Sequence, residues 1–316
     1  MTGYILLTEP EKLAPLVTAF DDEESPVKVV TSQEASRLAG IQLERGGMYF
    51  PDSGWLNPAG VCNRLIQHPN IRLVEGLGAV KPRQLASGGW AVENNHGQII
   101  AIGDTAVVTT AWQATENREL DFLPLQPIRG QTTQLASEGE LAKLQCTVCH
   151  DGYTPPARHG QHCVGATYGL NEITVEERKE DHKLNLRQLA ANIPTLSAAI
   201  NSIALNSEKL TGVAAVRCAT SDYLPITGSV PEKNAFKSAF DGLRHDRKRF
   251  IAAQQPNLKG LWVLTGLGSR GLTSSPILAE MLMSMMFQRP PPLPRYLLQA
   301  VSPARFLRRQ LVKGAS

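Results

Sequence analysis

The sequence predicts a mixed α/β protein built from about two domains. Its 316 residues suffice for two domains of roughly 100–200 residues each. The chain is 42% hydrophobic and 19% charged with a net charge of +3, so it can bury a core, and disorder is excluded as its dominant state. Many short runs have a strand pattern and few have a helical one. A strand, a glycine turn and a helix then follow one another between residues 259 and 286.

The first third is predicted to hold one helix among short strands. GYILL forms an apolar strand, and a polar stretch with acids at 21–24 follows it. In WLNPAGVCNRLIQH, Asn57 is placed to cap a helix whose first residue is Pro58. The β-branched run DTAVVTTAW predicts a buried strand. Four runs bounded by Gly, Asn or Asp before it predict strands of a meander: IRLVEG, GAVKPRQL, GWAVEN and QIIAIG.

The remainder is predicted to be mainly β-structure up to about residue 235. One amphipathic helix interrupts it near VEERKEDHKLNLRQLAANI. KGLWVLTGLGSRGLTSSPILAEMLMSMM then predicts a strand, a turn and a helix, and the proline run RPPPLPR ends that helix.

Several classes of protein are excluded. No apolar run approaches the ~18–20 residues that span a bilayer, and the N-terminus lacks the basic region of a signal peptide. Five cysteines do not indicate a disulfide scaffold, and they fit a reducing, cytoplasmic location. Cys146, Cys149 and His150 match the C-x-x-C-H pattern of covalent haem attachment. We interpret the match as chance because that attachment is usually made outside the cytoplasm, and we expect no zinc site because a second ligand pair is missing.

The strongest local motif is the glycine turn from Gly266 to Gly271, a G-x-G-x-x-G that follows an apolar strand and opens a helix near Leu272. Its glycines permit a tight turn, and the helix dipole and free N–H groups favour an anion or an electron-rich oxygen. A full dinucleotide site needs a further strand with an acid about 20 residues on, and the chain has no acid after Glu280. Two interpretations therefore remain, close packing of strand and helix or a secondary contact to a flavin or nucleotide held elsewhere.

Two further segments contain an arginine near turn residues. In VRCATSDYLPITG, Arg217 ends an apolar run, where its planar guanidinium suits a carboxylate. The partner is either a ligand or an acid of the chain such as Asp222, and the sequence leaves both open. The third segment, PLQPIRGQTTQL with Arg129 and Gln131, is nonspecific by itself.

These three segments, in this order, resemble the D-amino-acid-oxidase and glycine-oxidase type of FAD-dependent oxidoreductase. Within that group the closer resemblance is to the FAD-dependent C-terminal domain of the bifunctional enzymes that modify the wobble uridine of tRNA to 5-methylaminomethyl-2-thiouridine. It covers nearly the whole chain and is carried by CHDGYTPP, HCVGATY, GVAAVRCATSDYLPITG, TGLGSRGLTSSPILAE and AVSPARFLRRQLVKG.

The resemblance implies a D-amino-acid-oxidase-like α/β flavoprotein with a Rossmann-like FAD-binding domain and a β-rich substrate domain. Residues 51–118 and 236–316 would form the FAD-binding domain, and 1–50 and 119–235 the substrate domain. The family's principal G-x-G-x-x-G and ribose-binding Glu would lie upstream of Met1, as would the methyltransferase domain. We therefore expect an N-terminally truncated oxidoreductase domain with an incomplete FAD-binding domain and an uncovered sheet edge that lowers solubility.

The resemblance also assigns roles to residues. Val80 would contact the adenine end of FAD through its backbone, and the turn would lie against the isoalloxazine. Arg217 would hold the substrate carboxylate with Tyr168 or Tyr153 nearby, while the flavin takes a hydride from the carbon between nitrogen and carboxylate. The imine then hydrolyses, and glyoxylate leaves an aminomethyl uridine. The expected cofactor contacts are Val80, Gly266, Gly268, Ser269, Arg270, Gly271 and Leu272.

A basic C-terminal region suggests a tRNA partner. Six cations and no acid follow Glu280, and RHDRKR stands at 244–249. These charges equally suit a solvated helix face, and two other functions stay open, a small-molecule amine or glycine-type oxidase and an inactive fragment. The six cations are Arg289, Arg295, Arg305, Arg308, Arg309 and Lys313.

Overall fold

A computed structural model of the chain describes residues 2–20, 25–205 and 210–314. The chain forms two compact units, each made of two segments. The first unit is Met1–Leu65 with Arg129–Val216, and the second is Ile66–Ile128 with Arg217–Ser316. In the described residues, none of the helices has the length and apolar character needed to cross a bilayer.

Strands outnumber helices in the described residues, as the sequence pattern predicts. The helices are α1 Pro10–Ala19, α2 Ser32–Ala39, α3 Pro58–Ile66, α4 Lys179–Asn192, α5 Ser197–Leu205, α6 Lys233–Ala239, α7 Gly271–Met286, α8 Arg295–Val301 and α9 Ala304–Val312. The strands are β1 Tyr4–Leu7, β2 Lys28–Val30, β3 Gly47–Phe50, β4 Val80–Gln84, β5 Trp90–Asn94, β6 Ile99–Gly103, β7 Ala106–Val108, β8 Leu125–Ala136, β9 Thr147–Cys149, β10 Tyr153–Thr154, β11 Gln161–Gly165, β12 Gly169–Leu170, β13 Gly212–Thr220, β14 Ile226–Pro231 and β15 Asn257–Thr265.

The first unit is organised around a mixed sheet in the order β12-β8-β11-β10-β9-β1-β3-β2, with β13 paired to β8. β1 lies inside the sheet, parallel to β9 and antiparallel to β3. Ile5 on β1 and Val148 on β9 are fully buried in a core that α2 and α4 complete through Ala35 and Leu189. The helices thus cover the apolar face of the sheet, which needs such packing to exclude water.

The second unit contains two small sheets. β14, β15 and β7 form one, in which β15 is antiparallel to β14 and parallel to β7. β4, β5 and β6 form an antiparallel meander. Leu261 and Val263 of β15 are fully buried, and Phe306 of α9 packs into the same core.

Local capping explains two helix starts. The Asn57 Oδ1 accepts a hydrogen bond from the Gly60 N–H at 2.8 Å, so the predicted cap of α3 is confirmed. α2 was missed, although the sequence carries its signal: Thr31 and Glu34 form a capping box, and Gly40 ends the helix with φ of 75°. No prediction from the sequence covers α1, α5, α6 or α8.

Some predicted strands differ from the structure. The meander strands are confirmed at β4, β5 and β6, but IRLVEG forms no strand, and its Leu73 is exposed. An apolar run becomes a strand only where a neighbour accepts its hydrogen bonds, and no described strand pairs with it. DTAVVTTAW yields only the short β7, in which Val107 is 42% exposed. The acids at 21–24 lie outside the described residues.

The boundaries of the two compact units lie at other residues than the domain boundaries predicted from the sequence. The chain passes between the units after residues 65, 128 and 216, compared with 50, 118 and 235. Residues 217–235 lie with the second unit because β14 pairs with β15 over five residue positions. Which unit holds a cofactor and which a substrate stays a prediction.

Candidate functional site

Two parallel strands of the second unit end at the same sheet edge. Val263 of β15 is in register with Val108 of β7, so the residues after both strands lie side by side. The Thr265 hydroxyl donates a hydrogen bond to the Ala111 carbonyl at 3.1 Å, which links the two strand ends. Ligands of open α/β sheets bind outside the carboxyl ends of such strands. The glycine turn begins at this edge.

The backbone of the glycine turn needs its first two glycines. Gly266 has φ of 70° and Gly268 φ of 57°, a region that residues with a Cβ rarely adopt. A Cβ at Gly266 would lie 2.7 Å from the Thr220 methyl group. The Gly268 N–H donates to the Cys218 carbonyl at 2.7 Å, so the turn is attached to the end of β13. The glycine turn is therefore closely packed against Thr220 and β13, as one interpretation of the motif expects.

The helix that follows presents uncapped N–H groups. Arg270 is the N-cap of α7, and its side chain makes no capping hydrogen bond. The first intrahelical bond joins the Ser274 N–H to the Arg270 carbonyl, so the N–H groups of Gly271 and Leu272 have no partner within the helix. Ser269, Arg270 and Leu272 are exposed. This end carries partial positive charge and suits an anion or an electron-rich ring atom.

Arg217 lies beside the turn. It is half-buried within β13, three residues before the strand ends, and its guanidinium donates a hydrogen bond to the Ser269 Oγ at 3.3 Å. The structure thereby brings together the arginine predicted to bind a carboxylate and the turn predicted to contact a cofactor. Chain position gave no sign of this contact, because 52 residues separate the two side chains.

Asp222, which the sequence left open as a partner of Arg217, is bound by two arginines of α9. Arg305 is 8% exposed and donates through Nε and NH2 to both carboxylate oxygens, each at 3.0 Å, and Arg309 adds a third bond. Burial opposes ionisation of Asp222, but the hydrogen bonds of Arg305, Thr220 and Arg309 outweigh it and hold the pKa of that carboxyl well below its usual range. We call these residues the Asp222 cluster.

The Asp222 cluster corrects the interpretation of the basic C-terminal region. Arg305 was counted among the surface cations, but it is buried and also donates to the Leu224 carbonyl at 2.8 Å. It fastens α9 to the turn that follows Thr220. Arg308 on the same helix and Lys313 just after its end are exposed. A buried arginine with a distant acid leaves no signal in local spacing, so sequence reasoning missed this role.

A cavity of about 510 Å³ lies in the second unit between the meander and β7. Val80 lines it with Gly78 and Ala79, and Val108 and Thr110 line it at the carboxyl end of β7. Cavities of ~300–1,000 Å³ hold small ligands and cofactors. The cavity extends along β7 to Thr110 beyond its carboxyl end, and the glycine turn follows β15, the parallel neighbour of β7. Among the described residues, no group of three or more potential metal ligands occurs.

The other predicted site residues lie in the first unit. Tyr168 precedes β12 and is 52% exposed, and Tyr153 is half-buried on β10. Their action together with Arg217 stays a prediction. In the C-x-x-C-H segment, β9 ends at Cys149, and burial raises the pKa of that thiol to about 11.

Arg129 has a structural role in the first unit. It is 2% exposed and donates to the Thr174 and Glu176 carbonyls, the Gln131 side chain and the Asp181 carboxylate. These bonds hold the segment before α4 against β8. A buried guanidinium needs this number of acceptors.

The mixed α/β architecture places the glycine turn and a neighbouring arginine at the carboxyl ends of parallel strands, an arrangement typical of proteins that bind a nucleotide-type cofactor. The chain belongs to the family described as FAD dependent oxidoreductase, whose pattern matches residues 1–285. FAD is the cofactor of that family. The D-amino-acid-oxidase-like fold and the cofactor that the resemblance implies are thereby confirmed.

Curated relatives match nearly the whole length of this chain. It is 35% identical over 316 residues to the tRNA 5-methylaminomethyl-2-thiouridine biosynthesis bifunctional protein MnmC of Pseudomonas syringae pv. tomato, covering 99% of this chain and 47% of the relative. The protein of the same name from Chromobacterium violaceum is 35% identical over 291 residues, covering 92% and 44%. The chain thus spans about half the length of the curated relatives it matches.

Solved structures share the fold at low identity. Glycine oxidase from Geobacillus kaustophilus superposes with a TM-score of 0.69 at 19% identity, over 94% of this chain and 73% of that one. L-proline dehydrogenase from P. horikoshii has a TM-score of 0.69 at 15% identity, over 97% and 77%. At these identities the likeness concerns the fold alone.

Proposed function

We propose that this chain carries out the FAD-dependent removal of the carboxymethyl group from 5-carboxymethylaminomethyl-(2-thio)uridine at the wobble position of tRNA, giving the aminomethyl form. The observation that carries the proposal is the contact of Arg217 with Ser269 in the glycine turn. It joins a carboxylate-binding group to a turn suited to the electron-rich edge of a cofactor. The names of the curated relatives support the choice of tRNA as substrate.

The residues that would hold FAD divide between two places in the second unit. Gly78, Ala79 and Val80 line the cavity, and the uncapped N–H groups at the start of α7 stand at the glycine turn. When bound, FAD supplies a two-electron acceptor for the oxidation of the carbon–nitrogen bond. The positive end of α7 favours negative charge beside the turn.

Arg217 would bind and orient the substrate. The modified uridine carries a secondary amine with a carboxymethyl group, in effect an N-alkyl glycine. A guanidinium binds such a carboxylate through two parallel hydrogen bonds, which fixes the carbon between nitrogen and carboxylate in one direction. The hydrogen bond to Ser269 limits the rotamers of Arg217, so less conformational entropy is lost when the substrate binds.

The proposal includes a tRNA partner and a cytoplasmic location. Exposed cations in α9 and in the loop 244–249 would neutralise phosphates, which makes binding salt-dependent. The product is an aminomethyl uridine, and a methyltransferase must act next to give the methylaminomethyl form. The word bifunctional in the relatives' names supports a methyltransferase as the second activity, on the same polypeptide or another chain.

The test compares Arg217→Ala and Arg217→Lys with the unchanged chain. With FAD added, we expect Arg217→Ala to raise KM for carboxymethylaminomethyl tRNA about ten- to a hundredfold while flavin absorbance remains, because a charged hydrogen bond of ~1.5–3 kcal/mol is lost. Arg83→Ala is the control, since Arg83 is exposed and pairs only with Glu93 among the described acids. Loss of flavin with unchanged KM would assign Arg217 to the cofactor instead.

Two other outcomes would overturn the proposed function. Turnover of free glycine or sarcosine, with none of the tRNA, would make the chain a small-molecule amine oxidase. A purified chain that binds no FAD from solution, judged by its absorption spectrum, would be an inactive fragment.

A further inference from the structure

The loop 244–250 of the second unit combines four cations with an exposed aromatic ring. Phe250 is 89% exposed, the largest exposed fraction among the described large hydrophobic side chains. A phenylalanine at such exposure contributes nothing to the core, and it follows directly after Arg247, Lys248 and Arg249, which are exposed as well. Cations beside an aromatic face suit a ligand that has both phosphates and flat rings.

The loop is anchored at both ends. Leu243 before it is buried with Phe236, and Ile251 after it packs against the same apolar cluster. Within the loop, the Asp246 carboxylate accepts a hydrogen bond from the Lys248 N–H at 2.9 Å. Phe250 therefore directly precedes an anchored residue, Ile251. The conformation of the loop between its two anchors holds the Phe250 ring exposed.

The charges of the loop continue onto α9. Leu307 and Leu311 of α9 are fully buried in the cluster that anchors the loop, while Arg308 and Lys313 remain exposed. Among the described acids, Asp241 pairs with Arg244 at 2.9 Å, and Asp222 is taken by Arg305 and Arg309. The described carboxylates form no ion pair with Arg247, Lys248 or Arg308. We call the loop 244–250 with Arg308 and Lys313 the Phe250 surface.

We propose that the Phe250 surface binds a single-stranded RNA loop, with the Phe250 ring stacked on an unpaired base and the cations on the flanking phosphates. The inference rests on the proposed function, since a wobble base lies in the unpaired anticodon loop. Base stacking on an aromatic ring needs a base outside a duplex, so the surface selects loops over helices. Stacking on Phe250 would therefore distinguish unpaired from paired RNA, whereas the phosphate contacts of the cations depend only on charge.

The test measures binding of two RNA probes to the full 316-residue chain without FAD or turnover. One probe is a hairpin with the anticodon stem and loop, and the other is a blunt duplex with the same number of phosphates. Phe250→Ala should weaken hairpin binding roughly 5- to 150-fold, the range of one lost stack, and leave duplex binding unchanged. Phe250→Trp should restore hairpin binding.

Two control variants distinguish base stacking from charge contacts and from nonspecific hydrophobic binding. Arg247→Ala should weaken binding of both probes and reduce the magnitude of the slope of log K against log salt by ~0.7–0.9, whereas Phe250→Ala should leave that slope unchanged. Phe287→Ala removes another exposed phenylalanine of the same unit, at the end of α7, and should change neither probe.

Vesicles of phosphatidylserine are a third probe. Three results would overturn the inference: Phe250→Ala leaves hairpin binding unchanged, weakens hairpin and duplex binding equally, or weakens only vesicle binding, which would make the surface a membrane contact. Because no oxidation is measured, the inference and the proposed function fail separately. If the unchanged chain turns over the tRNA and the Phe250→Ala variant binds the hairpin normally, only the stacking proposal is refuted.

Discussion

Removal of the carboxylate in the Asp222 cluster should destabilise the second unit strongly. In Asp222→Ala, Arg305 stays buried and loses both carboxylate acceptors, keeping only the carbonyls of Leu224 and Ser302 at 2.8 and 3.2 Å. Arg309 loses its bond to the same carboxylate. The guanidinium of Arg305 is then a buried charge without a counter-ion.

The expected cost follows from the burial of the pair. Removing one partner of a buried ion pair costs about 3–5 kcal/mol, and the two remaining carbonyls favour the lower end. For a folding unit of about 150–250 residues, a loss near 3 kcal/mol lowers Tm by roughly 6–12 °C. The control is Asp121→Ala, because Asp121 is exposed and pairs with Lys233 at 2.7 Å, a surface bridge worth ~0–1 kcal/mol.

The assay is urea unfolding followed by tryptophan fluorescence. The second unit contains Trp90, Trp112 and Trp262, and Trp90 is buried with its Nε1 donating to the Lys259 carbonyl at 3.0 Å. Because the folded pKa of Asp222 lies below its unfolded value, its contribution is complete above the ordinary carboxyl pKa of about 4 and is lost as the pH falls below it. The gap between the unchanged chain and Asp222→Ala should therefore be full at pH 7 and shrink below pH ~4.

Equal midpoints for the unchanged chain and Asp222→Ala at pH 7 would refute the reasoning. A pH-independent gap would show that the loss arises from packing and not from the ion pair. The double variant Asp222→Leu with Arg305→Met should be more stable than Asp222→Ala, since it leaves no buried charge unpaired.

Three other variants or measurements probe single groups. Gly266→Ala should lower the urea midpoint more than Gly139→Ala, because both have positive φ, but only at Gly266 would the new methyl meet a neighbour within 3 Å; equal losses would show that the close approach is relaxed. Burial lowers the pKa of His150 to about 4, beyond the opposing effect of a neighbouring aspartate, so its ring resonances in an NMR titration should stay in the neutral position at pH 5.5, and a midpoint near 6.5 would contradict the burial. Burial raises the pKa of Cys146 to about 11, so at pH 8 iodoacetamide should label it, by mass spectrometry, much more slowly than the exposed Cys62; similar rates would show that the thiol is accessible.

Much of the fold followed from short-range chemistry in the sequence. The cap of α3 needs only an asparagine three residues before a free N–H, and the sequence β15, glycine turn and α7 needs only an apolar run followed by residues that tolerate positive φ. The start of α2 has the same kind of local signal, the capping box of Thr31 and Glu34. IRLVEG has the pattern of a strand and forms none, since a strand also depends on a neighbour elsewhere in the chain.

The site was predictable in its parts and not in its pairing. The sequence singles out Arg217 and the glycine turn, but both a ligand and Asp222 could have been the partner of that arginine. In the tertiary structure Asp222 binds Arg305, 83 residues away in the chain. Arg217 instead donates a hydrogen bond to Ser269, 52 residues away.

By itself the sequence determined the local conformations: which residues turn, which cap and which pattern of burial each element needs. These depend on interactions within a few residues, where hydrogen-bond reach and allowed φ leave few choices. Only the tertiary structure decided which cations are free for a partner. Arg305 and Arg308 stand three residues apart in one basic helix, yet one is buried against Asp222 and the other is exposed, because the packing of α9 turns one face toward an acid that lies far away in the chain.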